Sequence, residues 1–184
     1  MKIGIVGDTH IPRASPLLPA RITEVFKGLD IILHVGDINE LYVLEELQET
    51  YTLTFAIWGE GDSEEVKRYV DELRVVRFGE RQVGMIHGHQ FGARRVGLKG
   101  RLRRLLGRWT EPEPQDLVTF LLSQFAGEDI DAIVFGHTHQ PYVGMHDGVL
   151  LFNPGAALPG PDRHPSAGIL DIGECSITGK IVYL

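Results

Sequence analysis

Five short clusters of acidic and histidine residues in this chain each follow a run of apolar residues. They read Gly7-Asp8-Thr9-His10, Gly36-Asp37, Gly59-Glu60-Gly61-Asp62, His87-Gly88-His89 and Gly136-His137-Thr138-His139. Carboxylates and imidazoles together, without a thiolate, suit Mn, Fe, Zn, Ni or Co rather than Ca. The candidate metal ligands among them are Asp8, His10, Asp37, Glu60, His87, His137 and His139.

These seven side chains are more than a single tetrahedral zinc ion with an open position can use. Two divalent ions that share one bridging carboxylate would use all of them. Paired ions about 3.5 to 4 Å apart activate a water molecule and hold the oxygens of an in-line phosphoryl displacement. The residue types therefore predict a two-metal site that hydrolyses phosphate esters.

In the first half of the chain, short apolar runs alternate with helical patterns, which predicts a parallel α/β sheet. The predicted strands are residues 2–6, 31–35 and 53–58, and the predicted helices are 18–27, 40–48 and a short one that Ser63 caps. Ligands bind at the carboxyl ends of strands in open α/β sheets. Because the five clusters follow strands, we expect them to converge in space.

The second half of the chain is richer in strands. Residues 74–78 and 83–86 predict a hairpin around Gly79-Glu80, and further strands are predicted at 132–135, 142–145, 149–152, 167–172 and 176–183. Gly148 and Gly179 predict hairpin turns. Helical spacing predicts two helices at 93–108 and 116–126, joined by the linker Glu111-Pro112-Glu113-Pro114.

Composition limits the class of protein. The chain has 184 residues and a formal net charge of -7, with 43% hydrophobic and 23% charged residues, which excludes a disordered chain. One globular domain, residues 1–184, is expected at this length. No apolar stretch approaches the roughly 18 residues of a membrane span, so we expect no membrane partner.

Two residues outside the clusters are expected to be structural. The single cysteine, Cys175, excludes an internal disulfide framework, favours a cytoplasmic location and is expected to be a small buried residue in a strand. His34 lies inside a predicted buried strand, where we expect a hydrogen-bonded core histidine.

The five clusters, in this order, resemble the motifs of the calcineurin-like metallophosphoesterases, which read Asp-x-His, Gly-Asp, Gly-Asn-x-Asp, His and Gly-His-x-His. The chain length, His87-Gly88-His89 and the turn Asn153-Pro154-Gly155 make the chain similar to the small prokaryotic phosphodiesterases of that family. The resemblance covers nearly the whole chain except the segment around 94–114. It implies a four-layer αββα sandwich, in which two mixed β-sheets are flanked by helices.

The resemblance also implies roles for the ligands. The residues implied for one metal ion are Asp8, His10 and His139. Those implied for the other ion are Glu60, His87 and His137, and Asp37 would bridge the two. A hydroxide between the ions would attack the phosphorus of a phosphate ester, with a phosphodiester as the expected substrate.

This chain departs from the family pattern at two neighbouring positions. Glu60 stands where the family has Asn, and its extra charge is expected to tighten metal binding while weakening the attraction for an anionic phosphate. Gly61 stands where the family often has a His or Cys that protonates the leaving group. His89, which we expect beside the metal ligands rather than among them, His10 or water would then supply this proton, which favours aryl over alkyl leaving groups.

The segment 94–108 carries seven of the 18 basic residues and no acidic residue. It predicts either a solvated helix face that balances an acidic body or an arm that steers phosphates to the site. The second alternative would favour nucleotides or nucleic acid as partners. A nucleic-acid-binding protein with a vestigial metal site is therefore one competing hypothesis.

A scaffold is the other competing hypothesis, because a similar fold serves as an interaction subunit of the eukaryotic retromer, where metal-site residues are partly lost. Here six of the seven ligand positions keep the type found in the enzymes. This retention favours the enzyme.

Overall fold

The structure is a computed structural model that describes residues 1–12, 18–51, 53–91, 114–158 and 163–184. Its strands are β1 Lys2–Val6, β2 Ile31–His34, β3 Leu53–Ala56, β4 Leu73–Phe78, β5 Arg81–Ile86, β6 Ala132–Phe135, β7 Tyr142–His146, β8 Val149–Asn153, β9 Ser166–Ile172 and β10 Ile177–Tyr183. The helices of this part of the chain are α1 Ala20–Val25, α2 Leu41–Thr50, α3 Glu64–Tyr69 and α4 Pro114–Gln124.

The strands form two five-stranded sheets, in the orders β10-β9-β1-β2-β3 and β4-β5-β6-β8-β7. In the first sheet β1, β2 and β3 are parallel, whereas β9 and β10 run antiparallel beside β1. In the second sheet β5, β6 and β8 are parallel, and the edge strands β4 and β7 pair antiparallel with their neighbours. Both sheets are therefore mixed.

Alternation of side chains along the strands explains the layers. Ile3 and Ile5 of β1 face the interior between the sheets, where they meet Val83 and Met85 of β5. On the outer face of the first sheet, Ile32 packs in a cluster that includes residues of α1 and α2. The outer face of the second sheet packs against α4. The order helix, sheet, sheet, helix confirms the predicted four-layer sandwich.

The helices form where apolar residues recur at helical spacing. In α2 the buried residues are Val43, Leu44 and Leu47, which lie on one face of the helix. Ser63 caps α3 as predicted, because its hydroxyl accepts a hydrogen bond from the amide of Val66 at 3.3 Å. The predicted hairpin of β4 and β5 is also confirmed.

Two predictions in the C-terminal region are wrong. Cys175 is exposed, because β9 ends at Ile172 and the chain turns through residues 173–176 before β10 begins. Gly179 makes no turn but lies inside β10, paired with Leu170. A Cβ atom there would come within 2.7 Å of the Phe152 ring, so the glycine provides room for that ring.

Other predictions lie outside the described residues. These are most of the predicted helix and linker across 93–114, including the basic segment 94–108. Among the described helices, none is long and apolar enough to cross a membrane.

Candidate metal centre

The five predicted clusters follow β1, β2 and β3 of the first sheet and β5 and β6 of the second. Backbone hydrogen bonds tie the loops together in pairs. The amide of Asp8 donates to the carbonyl of Gly36 and that of His10 to the carbonyl of Asp37, both at 3.0 Å. In the second sheet the amide of Gly136 donates to the carbonyl of His87 at 3.1 Å. The carboxyl ends of strands from both sheets thus meet at one place.

The first group of ligand atoms belongs to Asp8, His10 and His139, whose atoms lie within 4.8 Å of one another. Nε2 of His139 is 3.3 Å from Oδ1 of Asp8 and 3.1 Å from Nε2 of His10. The neighbouring Asp8 carboxylate is the main cause that raises the pKa of His139. These three side chains therefore face a common point, at which the Asp8 carboxylate makes the electrostatic potential negative.

The second group contains Asp8, Asp37 and His87, all buried. Nε2 of His87 lies 3.4 Å from Oδ1 of Asp37 and 4.0 Å from Oδ1 of Asp8. Nδ1 of His87 is 2.7 Å from the carbonyl oxygen of Val35 and can donate its proton there. With the proton on Nδ1, the lone pair of Nε2 faces the carboxylates, which is the arrangement that a metal-ligating histidine needs.

Asp37 belongs to the second group and also approaches His10 of the first group. One carboxylate oxygen, Oδ1, faces His87 and accepts a hydrogen bond from the amide of Gly61 at 2.8 Å, while Oδ2 is 3.8 Å from Nδ1 of His10. Burial raises the pKa of Asp37, but the adjacent His87 ring, with the Gly61 amide and His10, outweighs burial and holds the pKa well below its usual range. The group is therefore an anion at neutral pH.

The residues fit a divalent cation. Among the described residues, Oδ1 of Asp8 and Nε2 of His87 are buried without any hydrogen-bond partner. A buried polar atom without a partner is costly, and a cation between the two atoms would satisfy both. Burial lowers the pKa of His87, yet Asp37 and Asp8 outweigh it and raise the pKa to about 9. The same negative potential that attracts this proton would attract a metal ion.

Glu60 and His137 lie outside these two groups but next to each other. Oε1 of Glu60 is 3.5 Å from Nδ1 of His137, and the Glu60 side chain is 60% exposed. Burial and then the charge of His87 lower the pKa of His137. The amide of His137 donates to Oδ2 of Asp8 at 3.2 Å, which attaches this loop to the first group.

His89 packs beside the ligand groups. Its ring centroid is 5.5 Å from that of His87 and 5.3 Å from that of Trp58, and its Nε2 is 3.6 Å from Oε1 of Glu72. Burial, followed by the charge of His87, lowers its pKa. His89 therefore lies near the centre as a neutral imidazole at neutral pH, in neither group of ligand atoms.

The backbone is strained at the candidate ligands. Five of them have a positive φ, which non-glycine residues rarely adopt. The values are 50° for Asp8, 49° for His10, 55° for Asp37, 66° for His137 and 55° for His139. Such strain is concentrated at functional sites in proteins and must be offset by the surrounding structure.

Close packing explains two glycines in the clusters. A Cβ atom at Gly59 would lie 2.3 Å from Oδ1 of Asp37 and 2.7 Å from Cδ2 of His87. Gly36 has a φ of +96°, and a Cβ atom there would lie 2.7 Å from Nδ1 of His87. These glycines let the ligand side chains approach the neighbouring loops.

Sequence reasoning missed the role of Asp62, although it ends the third cluster. This buried carboxylate accepts hydrogen bonds from the amides of Gly59 at 2.6 Å, Asn39 at 2.5 Å and Asp37 at 3.2 Å. Burial is the main cause that raises its pKa. Asp62 joins the loop after β3 to the loop after β2. An acidic residue left without an assigned role in the third cluster was the available clue.

His34 confirms the prediction of a hydrogen-bonded core histidine. Its Nδ1 accepts from the amide of Gly36 at 3.3 Å, and its Nε2 is 3.1 Å from Oγ1 of Thr9. The Thr9 hydroxyl donates in turn to the carbonyl of Asp37 at 3.3 Å. This chain of hydrogen bonds connects the loops that carry Asp8 and Asp37.

Two further residues support the loop of His137 and His139. The side-chain amide of Asn153, in the turn noted in the sequence, donates to the carbonyl of Gly136 at 2.9 Å and to Oγ1 of Thr138 at 3.1 Å. Arg163 donates to the carbonyl of Thr138. No motif in the sequence pointed to Arg163.

Comparison with known proteins identifies the family of the chain. A probable metallophosphoesterase of Methanothermobacter thermautotrophicus is 26% identical to the chain, over 99% of this chain and 92% of the relative. A phosphodiesterase of Methanocaldococcus jannaschii is 24% identical, over 93% of each. Among solved structures, Vps29 of Chaetomium thermophilum has the same fold, with a TM-score of 0.76 at 19% identity, over 100% of this chain and 87% of that one.

The family model described as the calcineurin-like phosphoesterase superfamily domain matches residues 1–174. This match extends from the first cluster to the last and includes every candidate ligand. The chain therefore belongs to the calcineurin-like phosphoesterase superfamily.

Proposed function

We propose that the chain is a metal-dependent phosphodiesterase that binds two divalent ions, drawn from Mn, Zn, Fe, Ni and Co. The observation that carries the proposal is the pair of overlapping ligand groups, in which Asp8 Oδ1 and His87 Nε2 are buried without a hydrogen bond. Family membership and a phosphodiesterase among the relatives support the reaction class.

We assign the ligands in two sets around Asp37. Asp8, His10 and His139 form the first set. Glu60, His87 and His137 form the second. The position of Asp37, whose two oxygens face His87 and His10, supports its assignment as the bridge. The contact between Glu60 and His137 supports their membership of the same set.

Divalent ions in these sets would supply positive charge that activates a water molecule and stabilises the phosphoryl oxygens. Asp37, an anion at neutral pH, contacts residues of both ligand sets and orients them. Gly61 has no side chain to protonate a leaving oxygen, so we assign that proton to His89 or His10. Because the lowered pKa of His89 keeps its ring mostly neutral, the protonated form that could donate is scarce, and substrates with good leaving groups are favoured.

The test is hydrolysis of bis(p-nitrophenyl) phosphate and p-nitrophenyl phosphate by protein that is stripped of metal with a chelator. Reloading with Mn, Zn, Ni or Co is expected to restore activity, with the diester hydrolysed faster. Asp37→Asn is expected to lower kcat about a hundredfold. The matched control is Asp129→Asn. Asp129 is exposed and lies just before β6 begins, away from the carboxyl ends of the strands where the candidate ligands are.

Two results would overturn parts of the proposal. Equal rates with and without chelator would exclude a metal-dependent enzyme. Faster hydrolysis of the monoester would exclude the assignment as a diesterase.

A further inference from the structure

A cavity of about 520 Å³ opens beside the candidate metal centre. Its described walls come from α4, from the ends of β5 and β6, and from the chain that enters β7. The side chains that make its apolar wall are Phe91, Leu117, Val118, Leu121, Phe135 and Tyr142. A volume of this size lies within the roughly 300 to 1,000 Å³ that is usual for small-molecule sites.

The cavity is continuous with the metal centre through shared residues. His137, which we assign as a metal ligand, lines it together with Gly88 and Gly136, which adjoin His87 and His137. A phosphate ester whose phosphoryl group lies at the ligand sets can therefore place one substituent at the mouth of this cavity. This placement of the substituent rests on the proposed function, which puts the phosphoryl group at the ligand sets.

Two polar side chains of the described wall, Thr138 and Tyr142, are already hydrogen-bonded. Oγ1 of Thr138 accepts hydrogen bonds from Asn153 at 3.1 Å and from the amide of Gln140 at 3.3 Å. The hydroxyl of Tyr142 is 2.6 Å from Nε2 of His146. Among the described lining residues there is no Lys, Arg, Asp or Glu. The described part of the wall thus offers no charged side chain for a second phosphate and is suited to apolar surface.

We propose that this cavity receives an uncharged, apolar substituent of the substrate, with an aryl ring as the representative chemistry. The substrate class is then a phosphodiester with one aryl or similarly apolar ester group. Nucleic acid, in which each phosphate is flanked by sugars, does not match this wall. The apolar wall confers selectivity because burial of a ring contributes binding free energy that a methyl group cannot.

The test compares two ligands of the same charge that lack a leaving group, phenylphosphonate and methylphosphonate. Their Kd values for the metal-loaded protein are measured by calorimetry, which needs no catalytic activity. We expect phenylphosphonate to bind at least about tenfold more tightly. The cavity-filling variant Leu117→Trp is expected to reduce this ratio to about one, because a larger side chain occupies the space of the ring.

The matched control is Thr119→Trp, on the exposed side of the same helix. It should keep the wild-type ratio. Tyr142→Ser, at a side chain that is 39% exposed, is a second variant that removes part of the wall without opening the core, and it should also lower the ratio. Circular dichroism confirms that each variant is folded.

Equal Kd values in the wild-type protein, or a tenfold ratio that survives in both Leu117→Trp and Tyr142→Ser, would overturn the proposal. The outcome is separable from that of the proposed function. Selective binding of phenylphosphonate without hydrolysis of any phosphate ester would retain the cavity assignment and remove the enzymatic one. Hydrolysis with equal Kd values would do the reverse.

Discussion

Glu60 adds a carboxylate where the family has an amide, and it is exposed enough to face a substrate. In the proposed centre, the charges of two divalent ions are balanced by Asp8, Asp37, Glu60 and a hydroxide. Removing the charge of Glu60 leaves a net positive site that attracts an anionic phosphate more strongly. We therefore expect Glu60 to weaken the attraction for phosphate while it strengthens the affinity for metal.

We predict that Glu60→Asn raises kcat/KM for bis(p-nitrophenyl) phosphate about tenfold, equivalent to about 1.4 kcal/mol of transition-state stabilisation. Metal affinity, measured by competition with a chelator, should fall. Glu64→Gln, on the exposed start of α3, is the control and should change neither value. An unchanged or lower kcat/KM in Glu60→Asn would show that the charge argument is wrong.

His34 makes the stability of the fold sensitive to acid. Burial is the main cause that lowers its pKa to about 3, and the charge of His87 is the next. In the unfolded chain the pKa returns to about 6.5. Between these two values the unfolded chain binds a proton that the folded chain does not, so stability is lost as pH falls through this window.

From pH 6.5 to 4.5 we predict that His34 alone lowers the free energy of unfolding by about 2.3 kcal/mol. His34→Gln should be less stable at pH 7 but should show a flatter pH dependence, because it has no group to titrate. Urea unfolding of metal-free protein across this pH range measures both curves. Exposed His164→Gln is the control, and parallel curves for the wild type and His34→Gln would contradict the prediction.

At the scale of elements, the loops that follow the strands are held in place by hydrogen bonds to one another. Asp62 receives three amide hydrogen bonds from two loops, and one of those amides belongs to Asp37. The positive φ of Asp37 requires this external support. Asp62 is therefore a positioning residue for the proposed bridge.

We predict that Asp62→Asn destabilises the fold by about 3 kcal/mol, because an amide cannot accept all three hydrogen bonds and leaves buried donors unsatisfied. Metal affinity should fall as well, since the loop that carries Asp37 loses its anchor. Denaturant unfolding and metal titration by calorimetry measure the two effects. Asp30→Asn, exposed just before β2, should match the wild type. Wild-type metal affinity in Asp62→Asn would refute the positioning role.

At the scale of the whole molecule, the candidate centre joins the two sheets. Asp8, His10 and Asp37 follow strands of the first sheet, whereas His87, His137 and His139 follow strands of the second. An ion held by residues of both sheets would bind only when the sheets are packed together. Metal binding would thereby be coupled to the stability of the entire sandwich.

We predict that metal at a hundredfold excess over Kd adds about 2.7 kcal/mol to the stability. For a chain of this size the expected rise in Tm is about 5 to 10 °C. Asp8→Asn should abolish the shift, and Asp129→Asn should keep it. Scanning calorimetry with and without Mn tests the coupling, which an equal shift in Asp8→Asn would disprove.

Much of the architecture could be predicted because it is encoded locally. Alternating or continuous apolar runs predicted strands whose observed bounds differ by at most two residues, as for β3 and β5. The exposure of Cys175 was not encoded in this way, since only the pairing of β9 with β10 places this residue in the exposed turn between them. The segment 94–108 and the single-domain organisation stay predictions.

The sequence by itself determined the chemistry of this protein, namely carboxylates and imidazoles after five strands in the order of a known family. Only the tertiary structure decided that Asp8 belongs to both ligand groups, that Glu60 lies against His137 and that a cavity adjoins the centre. The physical reason is the separation along the chain over which each kind of interaction acts. Strand and turn preferences act over a few residues, whereas the 3.1 Å approach of His10 and His139, 129 residues apart, depends on how two sheets pack.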